Sequence, residues 1–369
     1  MADLKVGIVG CAGRGGSFFS PFVNNPHTHI EALCDLNEEG LQATGARFDV
    51  KKLYTDYERM LDEAGLDIVV VGTPMPLHAS EAIGALQRGV HVLSEVPACV
   101  SIDEARELTV AACNSRAKYM MAENYCYIRD SVLVKHMARA GVFGEMYFGE
   151  GEYIHELKGL NEITTWRRKW QTGINGNTYP THSLGPLYQW IGQRVVSVMC
   201  VGTGHHYKDP RGDWYENEDS TFTLCRLEKG GLVKLRLDML SDRPHHYAYY
   251  TLQGTTGSFE TKRGPQDQSR VWLAGRSKGM EWTPLSDYAE EFLPDEWLHP
   301  SEKAMESGHW GGDYMQVQDF VQAILDDSEP PIGIHESMDM TLPGLVSQQS
   351  IEAAASWLDV PDSRNWVKP

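Results

Sequence analysis

The start of the chain constrains it most. The β-branched apolar run Leu4 to Val9 ends in Gly10-Cys11-Ala12-Gly13-Arg14-Gly15-Gly16, and the helix-compatible segment Ser17 to Val23 follows as far as the Asn24-Asn25-Pro26 break. Strand, glycine turn and helix in that order build an anion site, because residues without side chains let a pyrophosphate approach the backbone amides and the positive end of the helix dipole. The spacing departs from Gly-x-Gly-x-x-Gly at one position, where Ala12 stands for the second glycine between Gly10 and Gly15, with Gly13 and Gly16 as further small residues. The next apolar run, Ile30 to Cys34, ends at Asp35. A carboxylate there accepts hydrogen bonds from both adenosine ribose hydroxyls and repels a 2′-phosphate, so the expected cofactor is NAD rather than NADP. Cys11, inside the turn, is expected to be a small filler rather than a reactive thiol.

The alternation continues. Helix-compatible Tyr57 to Ala64 precedes the apolar run Asp67 to Thr73, helix His78 to Arg88 leads to strand His91 to Ser94, and helix Ile102 to Asn114 leads to strand Lys118 to Ala122. Strands alternating with helices imply a parallel, doubly wound α/β domain of the Rossmann type over residues 1–123. The remainder, residues 124–369, carries long alternating segments at Met146 to His155, Ser220 to Leu227, Leu232 to Leu240 and Tyr247 to Gly254, with turns such as Glu228-Lys229-Gly230-Gly231 between them. These predict an α+β domain with a large, mostly antiparallel, open-faced sheet, for substrate binding and oligomerisation. Helical patterns at Asp313 to Asp326 and Gly344 to Leu358, separated by Pro330-Pro331, close the chain. A length of 369 residues suits two or three domains at roughly 150 residues each.

Charge narrows the partners. The net charge of −18 repels phosphate backbones and anionic lipid, so neither nucleic acid nor a membrane surface is expected as a partner. The longest apolar runs are strand-length, well short of the ~20 residues that span a bilayer. Seven cysteines at no metal-ligand or redox spacing read as reduced thiols, and no export signal precedes the first strand, so a cytoplasmic protein is expected. A sheet with one uncovered face predicts a homodimer or a higher homo-oligomer.

Gly10-Cys11-Ala12-Gly13-Arg14-Gly15, Thr73-Pro74 with His78 beyond it, and Glu95-Val96-Pro97 together resemble the glucose-fructose oxidoreductase / inositol dehydrogenase / MocA family. Most dehydrogenases of that family carry Glu-Lys-Pro at the last motif, and the lysine takes the substrate hydroxyl proton; here the position is Val96, which exchanges no proton. Glu95-Val96-Pro97-Ala98, Met120-Met121-Ala122-Glu123-Asn124, Gly144-Glu145, Tyr153-Ile154-His155, Tyr179-Pro180-Thr181-His182 and His309-Trp310-Gly311-Gly312-Asp313 resemble a branch of it, family 109 of the glycoside hydrolases. That resemblance implies a tightly bound NAD, a carbohydrate substrate, and chemistry by oxidation at C3, elimination of the aglycone, hydration and re-reduction. It also implies that Thr73, His78, Glu95 and Asn124 join Gly10, Ala12, Gly13, Arg14, Gly15 and Asp35 in holding the cofactor. The segment Trp166-Arg167-Arg168-Lys169-Trp170-Gln171-Thr172-Gly173 has no counterpart in the family pattern.

The candidate catalytic residues are Tyr153, His155, Tyr179, His182 and Glu123. Tyr153 and His155 lie two apart on a strand and share a face, either as proton carriers or as groups satisfied within the sheet. Tyr179 and His182 flank Pro180, which suits the first turn of a helix. By the resemblance, His182 takes the proton from the hydroxyl whose carbon gives up hydride, while Tyr153 and His155 serve the adjacent carbon and the leaving group. Glu123 suits a functional carboxylate and an ordinary ion pair equally well. Trp166 and Arg167, with Trp170, suit a sugar platform or an interface stripe. His309 is expected to line the substrate cleft, and helix capping is the simpler role for Asp313. The adjacent pairs His205-His206 and His245-His246 are not expected to hold a metal, since neighbouring side chains rarely ligate one ion together. Two other functions fit the same residues: a sugar or cyclitol dehydrogenase using His182 in place of the lysine, and a non-enzymatic NAD-binding sensor.

Overall fold

Six short strands hydrogen-bond in the order β3-β2-β1-β4-β5-β6, every pair parallel, in a computed structural model that describes residues 3–244 and 246–367. They are β1 (Leu4–Val9), β2 (Thr28–Cys34), β3 (Lys52–Tyr54), β4 (Ile68–Val71), β5 (His91–Ser94) and β6 (Tyr119–Met121). All four side chains of β4 are buried, as expected where helices cover both faces of a parallel sheet. Helix starts are written in the sequence: Asn37, Asp56 and Ser101 each accept a hydrogen bond from a backbone amide of the turn they cap. The helix Glu38–Phe48 and strand β3 have no counterpart in the sequence expectations, because only Leu41 and Gly45 of that helix are buried and its apolar stripe is correspondingly thin.

The chain divides into two compact units: residues 1–128, 300–338 and 363–369 form unit 1, and residues 129–299 with 339–362 form unit 2. The sequence boundary at 123 lies close to the break at 128. The segment 300–338, placed in the second domain by sequence, belongs to unit 1. The helix expected over Gly344 to Leu358 runs instead over Ile334–Glu352, with Pro343 inside it, so the division falls within one helix.

Unit 2 is built on nine strands ordered β14-β13-β12-β11-β7-β10-β9-β8-β15. They are β7 (Met146–Ile154), β8 (Val195–Gly202), β9 (Ser220–Leu227), β10 (Leu232–Asp238), β11 (His246–Gly254), β12 (Gly257–Glu260), β13 (Arg270–Leu273), β14 (Thr283–Pro284) and β15 (Leu358–Asp359). All neighbours are antiparallel except β7 and β10. The inner face carries the helix Pro180–Ile191, whose Trp190 meets Tyr250 and Phe259 edge-on with ring centroids 5.5 and 5.4 Å away. Strand and helix approach closely at Gly151, where a Cβ would overlap the carbonyl oxygen of Ser183. On the outer face Phe148, Leu232, Leu224 and Phe222 stand across neighbouring strands, half-buried, with Val201 exposed.

Candidate active site

In unit 1 the glycine turn leaves β1 through Gly10, whose φ of +75° and close approach to the carbonyl of Gly72 exclude any side chain. Gly13 follows as the N-terminal boundary of the short helix Arg14–Phe18. Asp35 has a second task that the sequence did not reveal. Its carboxylate accepts the amide of Ala12 at 2.9 Å and that of Asn37 at 2.9 Å, tying the glycine turn to the end of β2 while lone pairs remain for a ribose. Burial, and next the charge of Asp35, push the Cys11 thiol up to about 12, so this cysteine carries no thiolate chemistry.

The loops after β4 and β5 are joined by His78. It is buried, with Nδ1 2.9 Å from the carbonyl oxygen of Pro97 and Nε2 2.9 Å from that of Thr73. Both ring nitrogens are therefore committed to backbone, and this residue, expected among the cofactor ligands, shapes their loops from beneath. Thr73 donates its hydroxyl to Glu81 at 2.6 Å. Burial of Glu81, only partly offset by that hydrogen bond, lifts its carboxyl to about 7.

Arg14 reaches back from the turn, with Nε 2.8 Å from Glu95 and its two terminal nitrogens 3.4 Å from the Asp313 oxygens. Burial disfavours the Arg14 charge, but Glu95 and then Asp313 outweigh it and keep the guanidinium protonated. Asp313 does not cap its helix; the helix Gly312–Leu325 starts at Gly311 without a side-chain cap, and the fully buried Asp313 carboxylate also receives Gln316 Nε2 at 3.1 Å and His309 Nδ1 at 3.0 Å. Burial raises the Asp313 pKa, but the His309 hydrogen bond and the Arg14 charge prevail and hold it below the usual carboxylate range. His309 and Trp310 sit at φ of 53° and 55°, left-handed backbone that costs non-glycine residues roughly 1–2 kcal/mol each. Trp310 is 71% exposed, so its indole faces outward.

Glu123, expected among the catalytic groups, is completely buried and accepts the amide of Tyr125 at 3.0 Å, capping the turn that carries Asn124. It positions that turn. Asn124 follows β6, sets its Nδ2 over the His309 imidazole, 3.3 and 3.1 Å from the two ring nitrogens, and has a buried Oδ1 without a protein partner. A buried acceptor lacking a donor is costly unless a ligand or water supplies one. The turn at Gly10, the carboxylate of Asp35 and this oxygen all lie at the carboxyl ends of parallel strands, where dinucleotides bind, so the residues present fit NAD.

Unit 2 brings its four candidates together. The Tyr153 hydroxyl is 2.9 Å from His155 Nδ1, as their shared strand face requires. The Tyr153 ring stacks on Tyr179 with centroids 5.6 Å apart and meets His182 edge-on at 4.8 Å, while Tyr179 and His182 lie 4.7 Å apart. Pro180 starts the helix, as expected, and places Tyr179 and His182 on its first turn. Tyr250, which the sequence reading missed, donates its hydroxyl to the carbonyl oxygen of His182 and steadies that turn; its only sequence signal was its place in an alternating strand. Arg167 lies over the Trp166 ring at 4.5 Å, with hydrogen bonds to Thr164 at 3.0 Å and Gln171 at 2.6 Å. Stacking thus occupies one face of the indole. Among the described residues no group of three or more His, Cys, Asp or Glu could hold a metal; His206 pairs with Asp219 at 2.5 Å, and His245 lies outside the described residues. No helix among the described residues is long and apolar enough to cross a membrane.

Residues 4–123 match the oxidoreductase family with an NAD-binding Rossmann fold, and residues 127–368 match the C-terminal domain of glycosyl hydrolase 109. A glycosyl hydrolase family 109 protein of Streptomyces filamentosus is 31% identical, over 98% of this chain and 77% of the relative. One from Saccharopolyspora erythraea is 30% identical, over 97% and 83%. Among solved structures, a levoglucosan dehydrogenase complex with NADH and levoglucosan superposes with a TM-score of 0.83 at 21% identity, covering 97% of this chain and 100% of that one. The WlbA dehydrogenase of Bordetella pertussis, in complex with NADH and UDP-GlcNAcA, superposes with a TM-score of 0.81 at 20% identity over 98% of each chain.

Proposed function

Because the chain belongs to glycosyl hydrolase family 109 and carries an NAD-binding Rossmann fold, we propose that it cleaves a glycoside by transient oxidation of the sugar at C3, elimination, hydration and re-reduction. The observation that carries this reading is the contact cluster Tyr153, His155, Tyr179 and His182. Hydrolysis by this route needs several proton transfers and no net redox change, and a set of touching phenols and imidazoles suits that work better than a paired-carboxylate scheme. NAD held by unit 1 would supply reversible hydride acceptance, with no net redox change over a cycle. In unit 1 the backbone of the glycine turn and Asp35 hold the dinucleotide, with Glu95 and Asn124 at the far strand ends.

His182 takes the C3 hydroxyl proton, the task for which the buried Val96 has no group. Tyr153, hydrogen-bonded to His155, removes the C2 proton once a carbonyl at C3 has acidified it. The pair then hands a proton to the departing aglycone oxygen. Water adds at C1, and the C2 proton is restored by the same pair. In this reading Trp166, Arg167 and His309 bind the substrate, Trp166 and Arg167 by a flat cationic surface. The decisive experiment incubates the protein with an array of nitrophenyl glycosides in deuterated buffer while nitrophenol and NADH are both recorded. Glycoside cleavage with deuterium at C2 and no NADH accumulation supports the reading. Steady NADH production without cleavage replaces it with a dehydrogenase.

The same reading includes self-association through the outer face of the nine-stranded sheet. Phe148 and Leu232 face each other across one strand pair there and Phe222 and Val201 across another, with Leu224 beside Phe222 and the charged Arg226, Lys234 and Arg236 between them. Sedimentation showing a single 41.4 kDa species at micromolar concentration contradicts it.

A further inference from the structure

One turn of unit 1 is held from both sides and presents a single large side chain outward. Residues 307–313 connect the glycine turn to the end of β6. At one end the fully buried Asp313 receives the two terminal nitrogens of Arg14, each 3.4 Å away. At the other, the His309 imidazole lies under the Asn124 Nδ2, while its Nδ1 is 3.0 Å from both Asp313 oxygens. Gly312 closes the turn onto the segment that carries Asn124, since a Cβ there would come within 2.8 Å of the Tyr127 carbonyl oxygen. The Ser307 hydroxyl accepts the amide of Tyr314 at 3.2 Å. We propose that Trp310, the outward member of this turn, is a substrate-contact residue whose indole packs against the C–H face of a pyranose ring. The inference rests on the reading that the substrate is a sugar.

Two costs are concentrated on this residue. The Trp310 indole is 71% exposed, ahead of Trp214 at 50% and Trp282 at 41%, so its large apolar surface gains nothing from burial. The backbone is left-handed at three successive residues, with φ of 53° at His309, 55° at Trp310 and 93° at Gly311, and only glycine adopts that conformation freely. None of the hydrogen bonds that clamp the turn uses the Trp310 side chain. The neighbours thus impose a strained, exposed position on an indole that contributes no packing to offset it, which is the pattern of strain kept at ligand sites.

The place of the turn says which ligand would meet it. Dinucleotides lie outside the carboxyl ends of parallel strands, and with Asp35 reading the adenosine half, the half from β4 to β6 takes the nicotinamide. A sugar carbon that gives up hydride has to touch that ring, so the sugar lies beside Asn124 and arrives from the solvent side of the strand ends. Trp310, next to His309, is presented to that approach. A pyranose carries its hydroxyls around the rim and C–H bonds on its faces. Those hydrogens are polarised by the neighbouring oxygens and suit the negative face of an indole.

The full-length protein, saturated with NAD, is titrated with methyl pyranosides of the common hexoses and 2-acetamidohexoses, and saturation-transfer NMR records which sugar protons touch protein. Trp310→Ala should weaken the tightest of these glycosides by about tenfold or more and remove the transfer to the C–H protons of one ring face. Trp310→Phe, which keeps an aromatic face, should stay within about threefold of the parent. NADH affinity should be unchanged in both. Trp310→Gly adopts the positive φ freely, so it should melt no lower than the parent while losing the sugar as Trp310→Ala does. Parental sugar affinity in Trp310→Ala overturns the proposal, and so does a parent that binds none of these glycosides. A Trp310→Gly protein that melts well below the parent marks the indole as a structural support and overturns it too. Sugar binding lost with Trp310 while no nitrophenyl glycoside is cleaved rejects the glycosidase and leaves this contact standing. Nitrophenyl glycoside cleavage with an unchanged KM in Trp310→Ala does the reverse.

Discussion

Tyr153 and His182 meet edge-on with ring centroids 4.8 Å apart, although one stands on a strand and the other on a helix 29 residues later (182 − 153). The contact depends on Gly151, two residues before Tyr153 on the same strand face, which has no side chain to hold the helix away at Ser183. A close backbone approach thus sets the spacing of the two rings.

Gly151→Ala is expected to destabilise unit 2 by about 1–3 kcal/mol, the usual cost of forcing extra volume into a packed interior. Here the obstacle is a backbone carbonyl, which cannot rotate aside as a side chain can. Chemical denaturation gives the stability change directly, and a variant as stable as the parent shows that helix and strand are not in such close contact.

His182→Ala and Tyr179→Phe should each lower glycoside turnover by ~100-fold or more, the typical contribution of a general acid or base. NADH affinity, measured by fluorescence titration, should not change, since the glycine turn and Asp35 hold the dinucleotide. Turnover within a few-fold of the parent in both variants removes them from the proton-transfer scheme.

Asp35→Ala should weaken NAD binding by roughly tenfold or more, about 1.4 kcal/mol, because it removes a ribose acceptor and also frees the Ala12 amide that the carboxylate holds. NADP should bind the parent more weakly than NAD and gain relative to it in the variant. Calorimetry with both dinucleotides is the check; equal affinities in the parent contradict it.

Glu81 makes stability depend on pH in a defined direction. Its carboxyl stands at about 7 in the folded protein against an ordinary value of 4.5, so the folded state holds the proton more tightly than the unfolded chain. The stabilisation is fully present below about pH 4.5 and is lost as pH rises through about 7. Glu81→Gln does not titrate, so its melting temperature should gain on that of the parent across this window and then keep a constant lead. A lead that does not change with pH shows that Glu81 is not raised.

Legibility from sequence differed from one element to the next. Helix Ile102–Asn114 was readable to the residue, because Ser101 and Glu104 mark its start and its buried positions recur at helical spacing. Helix Ile334–Glu352 was misplaced, since it is buried on most sides with apolar and polar residues mixed, which leaves no helical period, and Pro343 sits inside it where the sequence leads one to expect a break. Tyr153, His155, Tyr179 and His182 were singled out from spacing and family resemblance, and their mutual contacts agree with the face and helix-start arguments. Glu123 was the opposite case: a carboxylate at a strand end looks the same in sequence whether it faces a ligand or caps a buried turn.

The sequence by itself determined the Rossmann unit, its NAD-binding turn and the residue types able to move protons. These depend on local signals: a glycine turn after an apolar strand, an acid at the end of the next strand, alternation along each later one. Only the tertiary structure decided that Asp313, 299 positions from Arg14, is its partner rather than a helix cap, and that segment 300–338 belongs with the nucleotide unit. The reason is physical. A buried carboxylate must find donors wherever the folded chain brings them, and nothing in the periodicity of either segment records which distant side chain will be there.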